Sequence, residues 1–242
     1  MTATNHSAGV LPETQQQHWY NARAFDADDP WADLDAARTA LVLVDLINWQ
    51  VAPDGASVQS IRQSGGAERA DYIVARCENM VLPNLSRLVA GARAAGIRIV
   101  HARLASRHPD FADIVPVLRP YVRAADARDG STSCEPIPEA QAAPDDLSVV
   151  KTGSGAFAGS ELDFLLRRLG IDTLIYAGVV TNACVMLSVA SGFDLGYRQY
   201  LVTDCTGALS DEDQADAERF IGLYLAQLVT TDSTLAALKQ TR

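Results

Sequence analysis

Apolar residues fall in short unbroken runs, and longer stretches of one-sided apolar spacing separate them. The runs are Thr39–Asp45, Ile97–Leu104, Leu147–Lys151, Ile171–Val180, Arg198–Asp204 and Leu225–Thr230. Short continuous apolar segments of this kind suit strands buried on both faces. Between them, Leu82, Leu85, Leu88, Val89 and Ala92 recur on one helical face, and Gly96 follows as a stop. Ser160 opens a second helix that Gly170 closes, and Ala183-Cys184 opens a third that ends at Gly196. Asp211–Tyr224 reads as a helix with an acidic first turn, and Asp232 as the cap of a last helix reaching Lys239. Strand and helix alternate throughout. That order predicts an α/β fold: a three-layer α-β-α arrangement with a central, mostly parallel six-stranded sheet. Its crossovers should be right-handed and its site should lie at the carboxyl ends of the strands.

Three stretches depart from the alternation. Residues 1–38 lack periodicity and read as an N-terminal arm, partly flexible, ahead of a single domain at 39–242. The arm carries Trp19, Tyr20, Phe25 and Trp31, which either pack on their own subunit or reach a neighbouring one. Asn48–Gly66 contains Pro53, Gly55, Gly65 and Gly66, so it reads as a loop with at most a short helical turn. Helical signal resumes near Ala67, and Pro83 implies a separate or bent helix before it. From Ala105 to Asp146 six prolines break every pattern, which predicts an irregular excursion with a short helix near Phe111–Val122.

Composition narrows the function classes. The chain has 242 residues, 48% hydrophobic, with a formal net charge of −10. A core of that size needs no staples, and an acidic surface argues against nucleic acid and anionic membranes as partners. No stretch approaches the ~20 apolar residues that span a bilayer. The N-terminal residues are polar, so the expected compartment is the cytoplasm, with thiols reduced. Cys77, Cys134, Cys184 and Cys205 form no C-x-x-C pair and give no zinc spacing. No dinucleotide, P-loop or H-E-x-x-H motif is present, so no cofactor or metal is expected.

Three strand ends carry the chemistry. Asp45 ends the first run, Lys151 ends the third, and Cys184 follows the fourth after the turn Thr181-Asn182. In a parallel sheet these ends converge on one edge. Cys184 opens a helix, where unpaired backbone N–H groups carry partial positive charge that favours a thiolate and can hold an oxyanion. Asp45 can accept the thiol proton and pass it to a leaving amine, and Lys151 keeps Asp45 ionised. Each residue alone has a plainer reading, as a cap, a solvated lysine or a buried small hydrophobe. Their joint placement is what points to nucleophilic hydrolysis.

Several segments together resemble the isochorismatase-like cysteine hydrolases: ALVLVD at Ala40–Asp45, VVKTGSGAF at Val149–Phe157, AGVVTNACV at Ala177–Val185, and FDLGY…VTDCTGA from Phe193 to Ala208. The family includes nicotinamidases, N-carbamoylsarcosine amidase, ureidoacrylate amidohydrolase and biuret hydrolase. The resemblance implies Asp45 as general base, Lys151 as polarising residue and Cys184 as nucleophile. It also implies a cis peptide between Val179 and Val180, with the Val180 and Cys184 N–H groups as the oxyanion hole. A small-molecule substrate and a homodimer or homotetramer follow from it too. No histidine lies between Asp45 and Gly96, so the Asp/His metal site of nicotinamidases is absent. Val180-Thr181-Asn182 stands where isochorismatases tend to have Tyr-Ala-His, which disfavours vinyl-ether hydrolysis. Asn48 stands in for a glutamine often found after the first strand, and Tyr224 for a glutamine of biuret hydrolases.

The leading expectation is a cysteine-dependent amidohydrolase cleaving a C–N bond of an amide, carbamoyl or ureido group. The alternatives are isochorismatase-type ether hydrolysis with Asp45 as acid, and a catalytically silent member of the fold. Asn48, Trp49, Arg103, Arg107, Phe157, Thr181 and Tyr224 are the candidate substrate contacts. Against that, Arg103 and Arg107 read more readily as solvated surface arginines, and Trp49 and Phe157 equally as core. His101 is either a core histidine bonded to backbone or a partner for Cys184, and Cys205 reads as structural.

Overall fold

The computed structural model describes residue 31 and residues 34–240. Trp19, Tyr20 and Phe25 of the arm lie outside the described residues. Trp31 stacks on Tyr200 of its own chain, with ring centroids 4.3 Å apart.

Six parallel strands form one sheet: β1 (Thr39–Val44), β2 (Arg98–Leu104), β3 (Leu147–Lys151), β4 (Thr173–Val179), β5 (Arg198–Gly207) and β6 (Gln227–Val229). Their order is β3-β2-β1-β4-β5-β6, and every pairing is parallel. The chain direction across the sheet reverses between β1 and β4, so a crevice opens beyond their carboxyl ends. β1 is buried along its whole length, as its unbroken apolar run requires.

Nine α-helices are described: α1 (Asn48–Val51), α2 (Ala56–Gln63), α3 (Ala67–Arg76), α4 (Leu82–Ala94), α5 (Arg119–Ala124), α6 (Leu162–Arg168), α7 (Met186–Asp194), α8 (Asp211–Tyr224) and α9 (Thr231–Leu238). Leu85, Leu88 and Val89 of α4 pack with Ile73 of α3 and Leu238 of α9 over one sheet face. Leu166 of α6, Val189 of α7 and Ile221 of α8 cover the other. A third cluster, with Trp49, Phe111, Ile114 and Val122, seals the excursion against the end of β2. None of the described helices is long and apolar enough to cross a membrane.

Local chemistry explains most boundaries. Gly96, Gly170 and Gly196 follow their helices with φ of 74°, 71° and 83°, the left-handed closure that glycine supplies without strain. The bend expected at Pro83 is a π-helical turn, Cys77–Val81, joining α3 to α4. Proline there cannot donate to the preceding turn, and the widened turn absorbs the mismatch.

Three expectations need correction. Asn48–Gly66 is not a loop, because it holds α1 and α2. Gly55 acts there by close approach: a Cβ on it would meet the Asn48 carbonyl at 2.7 Å, so glycine lets two short helices abut rather than break. The last helix is capped by Thr230, whose hydroxyl accepts from the Ser233 N–H while Ser233 answers the Thr230 N–H. Asp232 lies within its first turn and pairs with Arg87 instead. The excursion's helix begins at Arg119, later than the Phe111–Val122 span implied.

Candidate active site

Asp45 follows β1 in the left-handed conformation, φ 54°, which aspartate tolerates better than most residues. Its backbone N–H donates to the Ala102 carbonyl at 2.9 Å. Its Oδ1 accepts from the Leu104 N–H at 2.7 Å. Two bonds to β2 thus aim the carboxylate along the sheet edge. Oδ2 lies 2.8 Å from the Lys151 Nζ, and both side chains are 0% exposed. Lys151 also donates to the carbonyls of Gly153 and Ser154, at 3.1 and 2.8 Å. Burial works to lower its pKa, but the Asp45 carboxylate and the Cys184 sulfur outweigh burial and hold the ammonium above its ordinary value.

Cys184 sits in a π-helical turn, Thr181–Val185, that leads from β4 into α7. Gly178, just before it, comes so close to β1 that a Cβ would meet the Val44 carbonyl at 2.1 Å. No larger residue fits, and that closeness brings the nucleophile turn beside Asp45. The Val179–Val180 peptide bond is cis. The Ala183 and Val185 N–H groups both donate to the Val180 carbonyl, at 3.0 and 3.2 Å. At 8% exposure Cys184 is the most accessible of the four cysteines. The Asp45 carboxylate and the Lys151 ammonium both act on its sulfur, the first raising and the second lowering the thiol pKa.

The electrostatics overturn one expectation. Burial, followed by the Asp45 charge, pushes the Cys184 thiol up to about 12, against a smaller downward pull from Lys151. The helix start and the ammonium therefore do not leave a resting thiolate. The sulfur rests protonated beside the Asp45–Lys151 pair.

The three strand-end residues converge, and each substrate-contact candidate is already engaged by partners within the chain. Arg103 is spent on Ser148, the Cys134 carbonyl and Asp129. Arg107 grips both oxygens of Glu161. Thr181 is buried and donates to Gln214 at 2.8 Å. Asn48 donates to the Thr132 carbonyl at 2.9 Å. Trp49 donates to the Leu104 carbonyl at 3.2 Å and packs in the excursion's core. Phe157 is core, its ring 5.7 Å from that of Tyr197. Tyr224 ends α8 and meets Phe193, the penultimate residue of α7. Both helices run back from the carboxyl edge, so their last turns lie at the opposite end of the sheet. His101 bonds Asp146, at 3.1 Å, rather than backbone or Cys184.

Two polar residues at the site carried no sequence signal. Ser188 donates to the Cys184 carbonyl at 2.6 Å and accepts from the Ala156 N–H at 2.9 Å, tying the Lys151 loop to the nucleophile turn. Gln214 holds the same turn from α8. Each is one polar residue within an amphipathic helix, and only its inward direction distinguishes it from a surface residue.

The doubly wound parallel sheet, with an acid, an ammonium and a thiol gathered at its carboxyl edge, is of the isochorismatase-like α/β class. The chain matches the isochorismatase domain over residues 39–233 and belongs to the isochorismatase family, which is hydrolytic. It is 31% identical over 212 residues to the uncharacterized isochorismatase family protein YwoC of Bacillus subtilis, covering 86% of this chain and 97% of that one. It is 28% identical over 184 residues to the ureidoacrylate amidohydrolase RutB of Pantoea ananatis, covering 70% of this chain and 69% of that one. Among solved structures, a cysteine hydrolase from Pseudomonas syringae superposes with a TM-score of 0.71 at 22% identity, over 86% of this chain and 96% of that one. The N-carbamoylsarcosine amidase of Thermoplasma acidophilum gives 0.62 at 23%, over 81% and 97%. Those two likenesses show the fold.

Proposed function

We propose that this hydrolase cleaves a C–N bond of a small amide, carbamoyl or ureido compound through a Cys184 acyl-thioester. The observation that carries the reading is the fully buried Asp45–Lys151 pair, 2.8 Å apart, whose charges both act on the Cys184 thiol. The relatives that act on ureidoacrylate and N-carbamoylsarcosine support it. With the thiol held near 12, deprotonation must accompany attack. Asp45 takes the proton as sulfur bonds to the carbonyl carbon. The Val180 and Cys184 N–H groups receive the oxyanion, each such donor typically worth about 3 kcal/mol. Asp45 then hands the proton to the leaving nitrogen, and the C–N bond breaks to release ammonia or an amine. Water, deprotonated by the same carboxylate, adds to the thioester carbonyl. The carboxylic or carbamic product leaves, and the sulfur recovers its proton. Lys151 stays paired with the Asp45 carboxylate between steps.

The test is an ammonia-release screen over primary amides and ureido acids, run on the wild type, Cys184→Ala and Asp45→Asn. The reading expects loss of turnover in both variants with the fold retained. Near-normal turnover by Cys184→Ala would sink it.

A further inference from the structure

Gln214 lies in the first turn of α8, is 5% exposed, and has every amide valence used. Its Oε1 accepts from the Ala208 N–H at 2.9 Å and from the Thr181 hydroxyl at 2.8 Å. Its Nε2 donates to Thr206 Oγ1 at 3.2 Å and to Glu218 Oε1 at 2.6 Å. The amide orientation follows from chemistry: a backbone N–H can only donate, so the oxygen must face Ala208. The remaining bonds then take one direction. Thr206 accepts from Gln214 and donates to the Thr203 carbonyl at 3.2 Å. Thr181, one residue beyond Val180 and three before Cys184, donates into the same chain.

The hub also binds an irregularity. β4 and β5 slip register between Tyr176 and Gly178, so that Thr206 comes beside Gly178 just before the nucleophile turn. Arg76 clamps the same bulge by donating to the carbonyls of Thr206 and Thr203, at 2.9 and 3.4 Å. Gln214 is therefore the side chain that joins the β5 bulge, α8 and the turn carrying Cys184.

We propose that Gln214 is a positioning residue that fixes the presentation of the Cys184 sulfur through Thr181, with Glu218 setting the direction of its hydrogen bonds. This rests on the reading of Cys184 as nucleophile. The chemistry makes a sharp demand. In Gln214→Glu two carboxylates face each other across the 2.6 Å contact and Thr206 loses its donor. Exchanging the pair, Gln214→Glu with Glu218→Gln, returns a donor to that contact at unchanged net charge.

The experiment measures the rate of Cys184 alkylation by iodoacetamide, located by mass spectrometry, across pH, with a thermal midpoint for each variant. Gln214→Glu should slow labelling about tenfold at neutral pH, within the range that an unsatisfied buried polar contact produces. Its ratio to wild type should return toward one as acid protonates the carboxylate pair. The exchanged pair should recover most of the wild-type rate. Thr181→Val, which cuts only the link to the turn, should slow labelling in the same direction, and it decides the matter if Gln214→Glu does not fold. Wild-type labelling rates with merely lowered midpoints, or no rescue by the exchange, would overturn the positioning role. Turnover by Cys184→Ala would instead overturn the functional reading, whatever the labelling shows.

Discussion

At the scale of the residue, the site is an ion pair whose members each depend on the other. Lys151 is fully buried, and its neighbours Asp45 and Cys184, Asp45 foremost, hold its pKa up against burial. Lys151→Met leaves an unpaired carboxylate in a dry crevice, a loss that typically costs about 3–5 kcal/mol. Urea unfolding near neutral pH should show that drop, and an unchanged midpoint would mean that Asp45 finds water in the native protein. Asp45→Asn makes a less intuitive prediction. The Asp45 charge is the second cause, after burial, that pushes the Cys184 thiol up to about 12. Removing it should bring the thiol pKa down, as read by thiolate ultraviolet absorbance, while turnover falls by about 10²–10⁴-fold for want of a base. A more acidic thiol in a less active protein separates base catalysis from simple thiolate activation. If turnover instead followed thiolate content, Asp45 would be only an electrostatic neighbour.

At the scale of the element, the question is what returns the long excursion to the sheet. Asp146, just before β3, accepts from Ala143 N–H at 2.8 Å, from Arg93 of α4 at 2.6 Å and from His101 of β2 at 3.1 Å. Burial works to raise its carboxyl, yet those three donors outweigh it and hold the pKa below its ordinary value. Burial lowers His101, against the pull of Asp146. Both shifts have one sign: the unfolded chain binds protons that the folded one resists, so stability drains as pH falls. For His101 the loss begins below its ordinary 6.5, and for Asp146 it completes as pH falls through its lowered value. Asp146→Ala strands three donors and should cost about 2–3 kcal/mol near neutral pH by urea unfolding. A cost within error would show that the excursion is held by its own cluster around Phe111 and Val122. These elements also mark where the sequence is readable. Strand ends are legible because an unbroken apolar run closing on Asp45 or Lys151 leaves one place for the charge to go. The α1–α2 pair is not, because Pro53 and Gly55 look the same whether they break a helix or permit two to touch. Arg103 and Arg107 lie at the right edge, but their carboxylate partners come from residues 26 and 54 positions away. Gln214 is the clearest case: in Asp211–Tyr224 it is one polar residue among many, and only the bulge in β5 gives it a task.

At the scale of the whole molecule, the same burial that hides the nucleophile gives the fold an alkaline weakness. Cys77, Cys184 and Cys205 are each pushed from an ordinary 9.0 to about 12, burial being the first cause in every case. The unfolded chain releases these protons near 9 and the folded chain keeps them. By linkage, stability therefore falls as pH rises through that window, by up to about 1.4 kcal/mol per pH unit for each thiol. Three thiols together give up to about 4 kcal/mol per unit, against a total stability of about 5–15 kcal/mol for a typical domain. Lys151 acts in the same direction, since its raised pKa is a contribution present below the ordinary lysine value and lost as pH climbs through the folded one. The net charge of −10 grows more negative over the same range and adds self-repulsion. Urea midpoints should hold steady between about pH 7 and 9 and then fall steeply. Cys77→Ala with Cys205→Ala separates the thiols from the general charge: it removes two of the retained protons while leaving the net charge at neutral pH untouched. A shallower alkaline slope in that variant assigns the weakness to the buried thiols, whereas an unchanged slope assigns it to repulsion and would mean that the folded thiols ionise nearly as readily as unfolded ones.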